Sequence, residues 1–186
     1  WTMPLHLLAA VAVTGVLAGQ PSWLDEPVRP WGDSRQGIPA AGNATWAGRD
    51  ACVGQAPEGP EATELRSAGW RAFQFSDRAI TRGDVTVLAG LSALTSDCAP
   101  AAFQAFVFVG GTYAGTLSPA LMTAGRDGVV GMVRVLPDQT ITAEFARYAA
   151  GDSECCPSGR VRVTYRVARE ASGPRVVPID RRVLRE

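Results

Sequence analysis

The chain has 186 residues, 46% hydrophobic and 19% charged, a balance that excludes a disordered or fibrous protein and leaves about one globular domain once the ends are set aside. Eighteen basic residues, all Arg, offset eighteen acids, and the absence of Lys excludes Schiff-base and P-loop chemistry. The single histidine, His6, lies in an N-terminal apolar stretch, so Ser-His-Asp and Cys-His arrangements are excluded from the rest of the chain.

Residues 4–19 are apolar and carry no formal charge, and Gln20-Pro21-Ser22 follows them. This pattern predicts the core of a signal peptide, with cleavage after Ala18. The run is shorter than the roughly 20 apolar residues of a bilayer-spanning helix, so an uncleaved apolar helix over residues 1–19 is the second reading. Residues 20–59 are rich in Pro and Gly and lack apolar periodicity, which predicts an irregular arm. Its Trp23, Trp31 and Trp46 are expected to fold back onto the domain. Asn43-Ala44-Thr45 matches a glycosylation sequon, a short and common pattern.

Residues 60–186 are expected to form a β-rich globular domain. Pro60 and Glu61 open a short run closed by Gly69, the polarity of one helix. Strands are predicted from Trp70 to Phe75, from Val85 to Leu88 and from Phe103 to Val109. Gly110-Gly111 turns the last of these into Thr112–Leu117 as a hairpin. A second hairpin joins Val129–Leu136 to Thr140–Tyr148. The alternation of Val161, Val163, Tyr165 and Val167 with Arg residues predicts a strand with one buried face, turned by Gly173-Pro174 into Arg175–Ile179. The expected fold is α+β and mostly antiparallel β: a small twisted sheet of about six to eight strands with one short helix, stapled by disulfides.

Cys52, Cys98, Cys155 and Cys156 read as two disulfides in an exported chain. Neighbouring Cα atoms lie about 3.8 Å apart, whereas disulfides prefer about 5.5–6 Å. Cys52 and Cys98 are therefore expected each to bond one member of the Cys155-Cys156 pair. The spacing fits no zinc or thioredoxin-like site, and no metal or other cofactor is expected.

Charge is uneven along the chain: residues 160–186 hold eight Arg against three acids, a basic strip following an acidic body. It is expected mainly to complement the domain's own acids, with Arg160, Arg162 and Arg166, together with Tyr113, as possible binding residues. No catalytic residue is identified. A carboxylate-dependent enzyme would have to draw on Asp138, Glu144, Asp152 or Glu154. Phe103, Phe106, Phe108 and Tyr113 could instead line a cavity for a small apolar ligand.

Asp97-Cys98-Ala99-Pro100, the stretch from Phe106 to Pro119 and Cys155-Cys156-Pro157-Ser158 together resemble, in that order, the LppP/LprE family of bacterial envelope lipoproteins, over about residues 70–180. The resemblance implies an exported domain at the periplasm or cell envelope of a bacterium. A lipoprotein signal ends in Leu-Ala-Gly-Cys, but here Leu17-Ala18-Gly19 is followed by Gln20. Without that Cys, the expectation is a protein soluble after cleavage, or held by its leader or by partners. The expected function is a non-catalytic envelope module that binds, or is structural to, an envelope protein or surface-layer component, with no nucleic-acid partner and membrane contact only through an uncleaved N-terminal segment. The alternatives are a carboxylate-dependent hydrolase of envelope polymers and a carrier of a small apolar ligand.

Overall fold

The computed structural model describes residues 22–31, 36–42, 52, 57–73 and 80–184. The predicted helix is α1, Pro60–Ser67, with Pro at its first position and Glu61 in its first turn. It ends where the Ala68 and Gly69 amides turn back onto Glu64 and Arg66 carbonyls, Gly69 adopting a φ of 88°.

Among the described residues ten strands follow: β1 Arg71–Phe73, β2 Ile80–Arg82, β3 Val85–Leu94, β4 Pro100–Val109, β5 Thr112–Thr116, β6 Met122–Thr123, β7 Val130–Val135, β8 Ile141–Arg147, β9 Gly159–Glu170 and β10 Gly173–Leu184. They are antiparallel throughout, but they form two sheets where the sequence predicted one. A six-stranded sheet runs β1-β3-β4-β5, with β2 also paired to β3 and β6 to β4; a four-stranded sheet runs β10-β9-β8-β7. The reason lies in burial. β3 and β4 are apolar almost without interruption, and each buries side chains on both faces, which a lone sheet facing water cannot satisfy.

The register assigns those faces. Val85, Val87 and Leu91 stand opposite Val109, Val107 and Phe103 and point into the main core, where Ile141, Phe145, Val161, Val163 and Tyr165 of the four-stranded sheet meet them. Leu88, Phe106 and Phe108 point the other way, onto Ala62 and Leu65 of α1 and onto Trp70. The order is thus helix, six-stranded sheet, four-stranded sheet. Gly115, at a φ of +131°, lets the sheets touch: a Cβ there would lie 2.7 Å from Val176 Cγ1 on β10.

Both predicted hairpins form. Gly110 and Gly111, at φ of 55° and 78°, make the β4–β5 turn, and Gln139 takes a φ of 62° between β7 and β8. The final turn falls two residues earlier than predicted: Ala171 and Ser172 form it, and Gly173 already pairs with Glu170.

The described arm residues contain no strand, and they do fold back. Leu24 is buried, Trp23 meets Phe145 edge-on at 4.9 Å, and Trp31 meets Tyr165 at 6.0 Å. Residues 1–21, Trp46 and Asn43 lie outside the described residues.

The disulfides correct the expected pairing. Cys52 bonds Cys98 with Cα atoms 5.1 Å apart, and Cys155 bonds Cys156 at 3.8 Å. The expectation rested on the short Cα separation of neighbouring cysteines, which does not keep Cys155 and Cys156 from bonding each other. In fact Cys98 belongs to the β3–β4 turn of one sheet and Cys155-Cys156 to the exposed β8–β9 loop of the other. Cys52–Cys98 therefore ties the arm to the six-stranded sheet.

Candidate functional site

A groove of about 440 Å³ opens between the arm, Trp70 and the β4–β5 side of the six-stranded sheet. Trp31, Trp70 and Tyr113 supply its aromatic surface, residues 36–42 one wall, and Pro119, Ala120 and Leu121 the rim. Its indole N–H groups are already committed: Trp31 donates to the Thr116 carbonyl at 3.1 Å and Trp70 to the Pro39 carbonyl at 2.7 Å. Those two bonds hold the arm against the sheet.

Gln104 is the buried polar group beneath the rim. Its Nε2 donates to the Ala120 carbonyl at 3.0 Å and the Ser118 carbonyl at 3.3 Å, and its Oε1 accepts from the Ala105 amide at 2.8 Å. Ser118 Oγ lies 3.0 Å from the same Oε1. This saturated network fixes the turn after β5, which shapes the mouth of the groove. No described lining residue is charged.

Of the predicted binding residues, Tyr113 alone reaches this groove, and burial pushes its hydroxyl up to about 12. The four aromatic residues considered for an apolar cavity do not share one face. Phe103 belongs to the core between the sheets, whereas Phe106 and Phe108 pack under α1 with Tyr113. A one-residue parity difference along β4 separates them. Trp70, Gln104 and residues 36–42 were missed as site residues. Gln104 had a visible signal, a lone polar residue inside an apolar strand; the arm wall had none.

Arg160, Arg162 and Arg166 lie on the outer face of β9, far along the fold from Tyr113. Arg162 donates to Glu144 Oε1 at 2.6 Å, Arg160 Nη1 lies 3.8 Å from Glu144 Oε2, and Arg166 is exposed. The basic strip does meet the domain's own acids elsewhere: Arg169 grips Asp84 through two bonds of 2.9 Å and Arg175 reaches Glu170 at 3.0 Å.

The candidate carboxylates are not brought together. Asp138 sits in the β7–β8 turn, where the Thr140 amide holds its carboxyl below the usual range. Asp152 lies beyond the other end of β8 and accepts the Ser158 and Ala149 amides at 2.9 and 2.7 Å, which lowers its pKa too. Glu144 is engaged by Arg162 mid-strand, and Glu154 is exposed in the β8–β9 loop. Among the described residues, no group of three His, Cys, Asp or Glu side chains could hold a metal ion, and no helix is long and apolar enough to cross a membrane.

Fold and groove define a mostly antiparallel, disulfide-bonded β domain with a neutral aromatic recess on one side. The family model of the LppP/LprE lipoproteins matches residues 85–169, from the start of β3 through nearly all of β9, and this match supports placing the chain in that family. The lipoprotein family points to association with a bacterial envelope. No curated protein and no solved structure matches the chain.

Proposed function

We propose that the protein is a non-catalytic, exported envelope module whose groove takes a small, mainly apolar and uncharged ligand. The observation that carries this reading is the state of the groove's polar atoms: both indole N–H groups and the Gln104 amide are bonded within the protein, and no described charged side chain lines the recess. Such a surface offers contact area and exclusion of water, and among the described lining residues only the Tyr113 hydroxyl titrates. Its volume falls in the range of small-molecule sites, about 300–1,000 Å³. The hydrolase alternative is disfavoured because the four candidate carboxylates are scattered and two of them serve as turn acceptors.

The test is titration with a neutral apolar fluorophore, N-phenyl-1-naphthylamine, against the native protein and a Leu121→Glu variant. Leu121 lines the groove and is half exposed, so the variant folds while placing a charge at the mouth. Saturable one-to-one binding, weakened on the order of tenfold by the substitution, is expected; each 1.4 kcal/mol lost is tenfold. Binding that does not saturate, or that ignores the substitution, would sink the groove reading. Release of envelope polymer fragments that disappears in a Glu144→Gln or Asp152→Asn variant would replace it with the hydrolase.

A further inference from the structure

The outer face of the four-stranded sheet is a regular grid. In the ladder register Met132 stands opposite Glu144, Glu144 opposite Arg162 and Arg162 opposite Arg182, while the next row runs Arg134, Thr142, Thr164, Asp180. Arg160 and Arg166 flank these rows on β9. Five Arg therefore share the face with two acids. Glu144 engages Arg162 and Arg160, but Arg134, Arg166 and Arg182 are exposed and make no ion pair among the described residues. Like charges directly opposite on neighbouring strands, as Arg162 and Arg182 are, destabilise an isolated sheet. At the β7 edge Met132 and Leu136 are exposed, 41% and 36%, and frame a shallow basin of about 170 Å³ between Arg134 and Arg162.

We infer that this face docks on the surface of an anionic phospholipid bilayer, a contact separate from the groove and additional to any made by the N-terminal segment. Two features select a lipid surface. The face is a broad sheet with its excess cations spread over three strands, which suits a two-dimensional array of phosphates. Guanidinium groups pair with phosphate oxygens in a fork, while the apolar edge residues enter the headgroup boundary.

The experiment is co-sedimentation of the full chain with vesicles of phosphatidylcholine alone and with about one-third phosphatidylglycerol, at low and high salt. Residues 4–19 could partition into either vesicle, so the informative quantity is the dependence on lipid charge. Each basic residue near an anionic surface adds about 1 kcal/mol, so the Arg134→Gln/Arg166→Gln/Arg182→Gln variant should bind phosphatidylglycerol vesicles on the order of 100-fold more weakly. The matching Lys variant should retain binding, and salt should weaken the wild type. Equal binding to both vesicles, or a triple Gln variant that keeps the preference, would overturn the inference. So would wild-type protein held by a soluble acidic polysaccharide and indifferent to phosphatidylglycerol. The salt and lipid comparisons need only wild-type protein, and they decide the matter if the variant fails to fold. Failure of the groove titration leaves this result unaffected, because Leu121 lies on the other sheet's side of the molecule.

Discussion

The two sheets solve opposite problems with the same strand geometry. The six-stranded sheet is covered twice, by α1 on one face and by the four-stranded sheet on the other, and β3 and β4 accordingly lack polar alternation. Among the described residues, the four-stranded sheet is covered once. β8 and β9 alternate residue by residue between buried and accessible side chains, and their accessible side carries the Arg residues. Stability is thus concentrated in the first sheet, while the second has a face that no described residue covers.

The largest effect that could break this contrast is a cavity under α1. Phe106 is fully buried against Trp70 and Tyr113, so Phe106→Ala should lower unfolding free energy by about 3–5 kcal/mol in urea denaturation. Thr164→Ala, on the accessible face of β9, should change it by less than about 0.5 kcal/mol. Similar losses at both positions would mean that the outer face is also covered.

The disulfides should divide in the same way. Cys52–Cys98 closes a separation of 46 residues, and the chain-entropy model assigns such a loop about 4 kcal/mol. Cys155–Cys156 joins neighbours and constrains almost nothing in the unfolded chain, so replacing both with Ser should shift stability by less than about 1 kcal/mol. Comparable losses for the two double replacements would overturn the pairing.

Next in size is the point where the sheets touch. Gly115→Ala should destabilise by about 1–3 kcal/mol, since it combines a positive φ with a clash at Val176. Adding Val176→Ala should recover the steric part and leave the backbone part, giving a non-additive pair.

The smallest effect concerns the clasp between turns of the two sheets. Asp84, between β2 and β3, accepts bonds from Arg169 on β9 and from Gln139 at 2.8 Å, and the Arg169 bond holds its carboxyl below the usual range. A depressed carboxyl contributes stability above its unfolded pKa and loses it as pH falls through the folded one. The wild type should therefore unfold at slightly higher urea than Asp84→Asn at pH 7, the gap narrowing below about pH 4 as Asp84 protonates. A gap independent of pH would remove the charge from the explanation.

Much of this contrast was legible along the chain because it is local. The alternation of β9 announces one wet face, the Gly110-Gly111 pair demands a tight turn, and Pro60 and Gly69 bracket α1. Strands β2 and β6 were not legible, since three and two residues respectively carry no pattern of their own and exist by pairing with β3 and β4. Nor was the groove, whose walls come from residues 36–42, Trp70 and Tyr113, brought together by the Pro39 carbonyl that Trp70 finds 31 positions away.

The amino-acid sequence by itself determined the β-rich class, the helix, the hairpins, the inward and outward faces of β9 and the return of Trp23 and Trp31 to the core. These follow from side-chain periodicity, turn stereochemistry and apolar burial, which act between near neighbours or on single residues. Only the tertiary structure decided that the strands divide into two sheets, that Cys52 meets Cys98, and that Tyr113 and the Arg face stand apart on separate surfaces. Those outcomes depend on which apolar face covers which, a choice made between segments distant in sequence and settled by the packing of the whole domain.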